Sequence, residues 1–126
     1  MSAMAAKAFL AHILAFHLAV PEPVAFRVDS GPVGFASYAL RSEATIENMG
    51  GWWLIRYGRA PLSQSSPRRV RFVLAHETCH AVYDYSSKWG QITEAERRSR
   101  HARVNECARR AIMDHQREAA LDRRAY

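Results

Sequence analysis

His76, Glu77 and His80 stand in the run Val73-Leu74-Ala75-His76-Glu77-Thr78-Cys79-His80, an H-E-x-x-H pattern inside an apolar stretch of helical character. On a helix, four-residue spacing stacks the two imidazoles on one face, so that both can reach one Zn²⁺ at about 2.0–2.1 Å. Glu77, next to the first imidazole, is placed to hold a water on the same ion. Zinc lowers the pKa of such a water, the carboxylate takes its proton, and the resulting nucleophile attacks a polarised carbonyl. The chemistry is metal-assisted hydrolysis, with Glu77 as general base and later general acid. Two histidines and a glutamate buried in an apolar helix would be costly without a metal or polar partners.

A catalytic zinc takes a third protein ligand and keeps one position open. The last quarter of the chain offers His101 and Glu106. His101 shares a helical face with Val104, Ala108, Ile112 and His115, so periodicity directs it inward. Glu106 lies about 140° round the same helix, on a face that carries Arg109, Arg110 and Arg117. His101 is therefore the favoured third ligand, and Glu106 is the alternative. Asp84, one turn past His80, is placed either to orient a ligand or to serve as a helix-end charge. Tyr83 and Tyr85 are candidates for stabilising an oxyanion. Cys79 points away from the histidine face and is expected to pack, as is Cys107. His12 and His17 do not form a ligand pair, and His115 is too far along its helix from His101 to share the ion.

The elements that must position these groups follow from period and punctuation. Ala3 to Leu18 reads as a helix, with Phe9, Ile13, Phe16 and Val20 at helical spacing. Pro21 and Pro23 end it. Val24 to Val28 alternates like a strand, residues 29–32 signal a turn, and Phe35 to Leu40 could be its hairpin partner. Ala44 to Asn48 is ambiguous. Met49-Gly50-Gly51 is a turn before an aromatic-rich strand, Trp52 to Tyr57, whose adjacent tryptophans point to opposite faces. Gly58 to Pro67 reads as a loop. A buried helix is expected from Arg69 to Tyr85, then a loop, then a helix from Glu94 towards Arg123 opened by a Thr93/Glu96 capping box. The fold class is α+β: an N-terminal helix, a small and mostly antiparallel sheet, an active-site helix and a long C-terminal helix, in one domain over residues 1–126.

The composition agrees with a globular chain: 48% of 126 residues are hydrophobic. The net charge of +6 comes almost wholly from arginine, which favours non-specific contact with nucleic-acid phosphate through surfaces such as Arg68, Arg69, Arg71 and Arg97, Arg98, Arg100, Arg103. A GC-rich codon usage gives the same balance. No apolar run reaches the roughly 20 residues needed to span a membrane. Two cysteines do not make a disulfide framework and fit a reducing, cytoplasmic setting, with a single bridge as the exception.

From Trp52 to Ile112 the chain resembles the zincin metallopeptidases. The run Val73 to Val82 is similar to SprT-like and phage-encoded metallopeptidases, in which a third histidine follows at the start of a later helix. That place falls on His101 here, with Ala102 where glycine or aspartate is usual. The ImmA/IrrE-like group has a similar helix and a downstream glutamate followed by small residues. Glu106-Cys107-Ala108 matches that in part, with Arg110 at the aromatic position. The first resemblance implies a minimal zincin that cleaves proteins on or near DNA. The second implies cleavage of a regulator. A zincin fold that binds nucleic acid or a regulator without cleaving is the alternative, and proteolysis in the service of a phage or mobile element is a third reading.

Overall fold

The computed structural model describes residues 3–14, 18, 20–29, 43–84 and 93–125. The architecture is α+β. An N-terminal helix, α1 (Ala3–Ile13), is followed by strands β1 (Val24–Asp29), β2 (Ala44–Asn48) and β3 (Trp53–Gly58). Helices α2 (Arg59–Gln64) and α3 (Pro67–Cys79) come next, then a π turn (His80–Asp84) and a long helix, α4 (Glu94–Ala125).

The sheet has the order β1-β3-β2, with β1 parallel and β2 antiparallel to β3. It is thus mixed, whereas alternation along single strands specifies neither partner nor direction. Side-chain period 2 sorts the two faces. Trp53, Ile55 and Tyr57 of β3 share the core face with Ala44 and Ile46 of β2 and with Val24, Phe26 and Val28 of β1. The ambiguous segment is therefore strand β2, while the hairpin partner expected at Phe35–Leu40 lies outside the described residues. The β2–β3 turn uses Gly50 at φ 82° and Gly51 at φ 107°, a left-handed region that glycine enters without a Cβ penalty. Gly50 N donates to Asn48 Oδ1 at 2.9 Å, which closes the turn. Trp53 is buried and Trp52 is 39% exposed, as adjacent residues on opposite sides require.

On the outer face Arg56 ties the three strands together. Its Nε donates to Asp29 Oδ2 at 2.7 Å and its Nη1 to Glu47 Oε1 at 2.8 Å. Hydrogen bonds from Arg27 and then Arg56 hold the Asp29 carboxyl below its ordinary range. A group so depressed contributes stability above its unfolded pKa and loses it as pH falls through its folded pKa. Arg56→Ala is thus expected to lower the melting temperature at neutral pH, and the deficit should shrink in melts taken below the ordinary aspartate pKa. A deficit independent of pH would contradict this role.

Three local readings change. Arg59–Gln64 is a short helix, not loop, because Pro61 falls in its first turn, where no N–H is required, and Leu62 is buried beneath it. Helix α3 begins at Pro67, with Ser66 as N-cap accepting from Arg69 N at 3.1 Å. Only half of the capping box forms on α4: Thr93 Oγ1 accepts from Glu96 N at 3.1 Å, while the Glu96 carboxylate takes Arg100 at 2.7 Å.

Helix α3 is the hub of the core, packing on α4, α1 and β2. Val70, Leu74 and Ala75 are fully buried there. Helix α1 buries Ala6, Phe9, Leu10 and Ile13 and meets α4 through Phe9 and His12, both in edge contact with the His115 ring at 4.7 and 4.4 Å. Phe16 and His17 lie outside the described residues. Among the described residues, no helix is long and apolar enough to cross a membrane.

Candidate metal centre

One face of α3 carries, in order, Arg69, Phe72, His76 and His80. The helical rise sets His80 one turn above His76, with Nε2 atoms 3.0 Å apart and ring centroids 4.6 Å apart. Across from them, α4 brings the His101 ring to 5.5 Å from that of His76 and 5.3 Å from that of His80. Ligand atoms of the three imidazoles lie within 4.8 Å of one another, and they form the one such group among the described residues. Tetrahedral coordination at about 2.0–2.1 Å separates nitrogen ligands by about 3.4 Å, so small side-chain rotations suffice to close all three on one ion.

The donor set suits a divalent cation. Burial lowers the pKa of His76, and Asn105 opposes that shift. Burial, followed by the neighbouring His76 and His101, takes His80 down to about 3. Both rings are therefore neutral at neutral pH, the state in which imidazole binds metal. Asn105 Oδ1 lies 2.7 Å from His76 Nδ1. The amide oxygen accepts the Nδ1 proton, which leaves the His76 lone pair on Nε2, the atom facing His80. Asn105 was not singled out by sequence reasoning, although its place one turn after His101 on the same helix was a usable signal. Loss of a group that orients a ligand in this way typically weakens metal affinity about 10- to 100-fold. Asn105→Ala is expected to fall in that range in a zinc titration against a chelator, with an unchanged circular dichroism spectrum; undiminished affinity would remove Asn105 from the site.

Glu77 sits beside His76, and its carboxylate has no hydrogen-bond or ion-pair partner among the described residues. Burial pushes its pKa up to about 8. A cation among the three imidazoles is the charge that would hold this carboxylate ionised. The wall of the site towards the start of α3 is Phe72, whose ring lies 6.1 Å from His76, with the Arg69 guanidinium 6.0 Å over it. Arg69 is itself anchored by Glu43 at the foot of β2.

Glu106 does not join this cluster. It is exposed on the solvated face of α4, held by Arg109 at 3.1 Å and Arg110 at 3.3 Å. His101 does join it, from the surface: it is exposed, whereas its apolar face was expected to carry it into the core. The core contacts of α4 begin three residues later, at Val104, and continue with Ala108 and Ala111. The side chains of Tyr83 and Asp84, and the whole of Tyr85, lie outside the described residues.

Both cysteines depart from simple packing. Cys79, expected to pack, is joined to Cys107 in a disulfide with Cα atoms 6.1 Å apart. The bridge links α3 to α4. Helix α3 continues into the π turn at His80, a local widening of the kind that recurs at functional sites. No family model, no curated protein and no solved structure matches this chain.

Proposed function

We propose that the protein is a zinc-dependent metallopeptidase, with His76, His80 and His101 as metal ligands and Glu77 as general base. The supporting observation is the convergence of three imidazoles beside the Glu77 carboxylate, which has no ion-pair partner among the described residues and whose pKa burial raises. A zinc ion held there would polarise the scissile carbonyl and make water a stronger acid. Glu77 takes the proton of the attacking water and passes it to the leaving amine. Asn105 keeps the His76 lone pair directed inward. Phe72 and Arg69 border the approach from one side, and a protein or peptide is the substrate class. The test is hydrolysis of an unstructured protein such as casein by zinc-loaded protein, its loss on chelation and its recovery with zinc. No hydrolysis at full zinc occupancy would overturn the reading.

A second reading keeps the fold and the ion but replaces cleavage by binding. It is favoured by Arg68, Arg98 and Arg103, which are exposed and have no ion-pair partner among the described residues. Such groups would hold nucleic-acid phosphate without reading sequence, with an affinity that falls steeply with salt. The disulfide favours an oxidising compartment over the cytoplasm expected from the cysteine count.

A further inference from the structure

We propose that the Cys79–Cys107 bridge is a positioning element of the metal centre, so that the redox state of this pair sets how tightly the three histidines hold a divalent ion. The inference rests on the metal-centre reading above and adds a determinant to it. Cys79 stands between Glu77 and His80 on α3. Cys107 stands two residues after Asn105 and six after His101 on α4. One covalent link thus joins the helix bearing two ligands to the helix bearing the third ligand and the residue that orients His76.

The need for such a link is visible in the packing. Among the described residues, the fully or nearly buried ones of α4 are Val104, Ala108 and Ala111, with Cys107 and Ile112 partly buried against the core. With two alanines among the buried positions, apolar area alone is a modest constraint on the register of α4 on α3. His101 is exposed, and it meets the His76 and His80 rings from α4 across the interface. Its distance to His76 and His80 depends on where α4 lies on α3, and the bridge is a covalent constraint on that placement. Interhelix position matters at the ångström scale here, because nitrogen ligands must meet the ion to within about 0.2 Å.

Opening the bridge takes two electrons and two protons from a dithiol reductant. A thiolate of the reductant attacks the sulfur of Cys107, which is half-buried, because Cys79 is fully buried. The S–S bond breaks, and Cys79 leaves as a thiolate and takes a proton. The second thiol of the reductant then closes on the mixed disulfide, leaving Cys107 as a thiol and the reductant as a disulfide. Helix α4 is then free to shift, and His76 and His80 are left as the two fixed ligands.

The experiment compares Zn²⁺ affinity, by competition with a chelator, for the oxidised protein, the same protein reduced and freed of reductant, and the double variant Cys79→Ala/Cys107→Ala. At least a tenfold loss of affinity is expected in both bridge-free forms. With Co²⁺ in place of Zn²⁺, the intense absorption of four-coordinate cobalt should weaken in those forms. Linkage also requires the ion to favour the bridge by the same factor. In a glutathione redox buffer, zinc-loaded wild type should therefore stay oxidised under conditions that reduce the metal-free protein, a readout that depends on no variant folding. Equal zinc affinity with and without the bridge would overturn the coupling and leave the metal centre standing. Zinc that favours the reduced form would overturn it by showing the thiols to be ligands. Failure of the oxidised protein to bind zinc at all would overturn the metal centre and the coupling together.

Discussion

Glu77→Gln is expected to reduce peptide hydrolysis by about 10²–10⁴-fold, the usual contribution of a positioned general base, while leaving zinc content and fold intact. The substitution is isosteric and removes only the ability to take a proton. The three nitrogen donors come from other residues, so occupancy should be unaffected. The fold has no reason to suffer either. In the metal-free protein the Glu77 carboxyl has no ion-pair partner among the described residues and burial raises its pKa to about 8, so a neutral amide of the same shape is no worse accommodated than the acid. Turnover measured at fixed zinc occupancy, alongside thermal melts of the stripped proteins, separates the roles. Retained hydrolysis in the variant would exclude Glu77 as the base. A large drop in melting temperature would show the carboxylate to be structural.

Removal of the bridge is expected to have the largest effect on stability. Cys79 and Cys107 are 28 residues apart in sequence, and closing a loop of that length in the unfolded chain stabilises the folded state by about 3–4 kcal/mol. That is a large share of the roughly 5–15 kcal/mol typical of a folded domain. For a chain of this size each kcal/mol moves the melting temperature by about 2–8 °C, so Cys79→Ala/Cys107→Ala should melt at least about 6 °C lower than the oxidised protein. Reduced wild type should behave like the double variant. Identical melting with and without reductant would mean that α4 is held on α3 by packing alone.

The groups on α3 were legible because their geometry is local. Helical spacing alone puts His80 one turn above His76, and the same rule ordered Phe9 and Ile13 of α1. Elements whose identity depends on distant partners were not legible. Ala44–Asn48 alternates too briefly to be distinguished in isolation, yet Ile46 opposite Ile55 makes it a strand. The parallel pairing of β1 with β3 has no signature in either segment. Gly58, two prolines and a Ser/Gln run made residues 58–67 look like loop, since a proline in a first turn and a proline in a loop are the same letter. His101 was preferred to Glu106 from the arginines around Glu106, and those arginines do hold it in solvent. Its exposure was not foreseen, because an apolar helical face says nothing about where that face leaves the core. Asn105 and the disulfide both belong to the α3–α4 interface, and an interface is a property of two segments at once.

The most direct measurement is zinc per chain by elemental analysis, on protein purified without chelator, for wild type, His101→Ala and Glu106→Ala. One zinc in the wild type, lost or much weakened with His101→Ala and retained with Glu106→Ala, is the expected result. A wild type without metal, or a zinc that survives His101→Ala and is lost with Glu106→Ala, would contradict the three-histidine site.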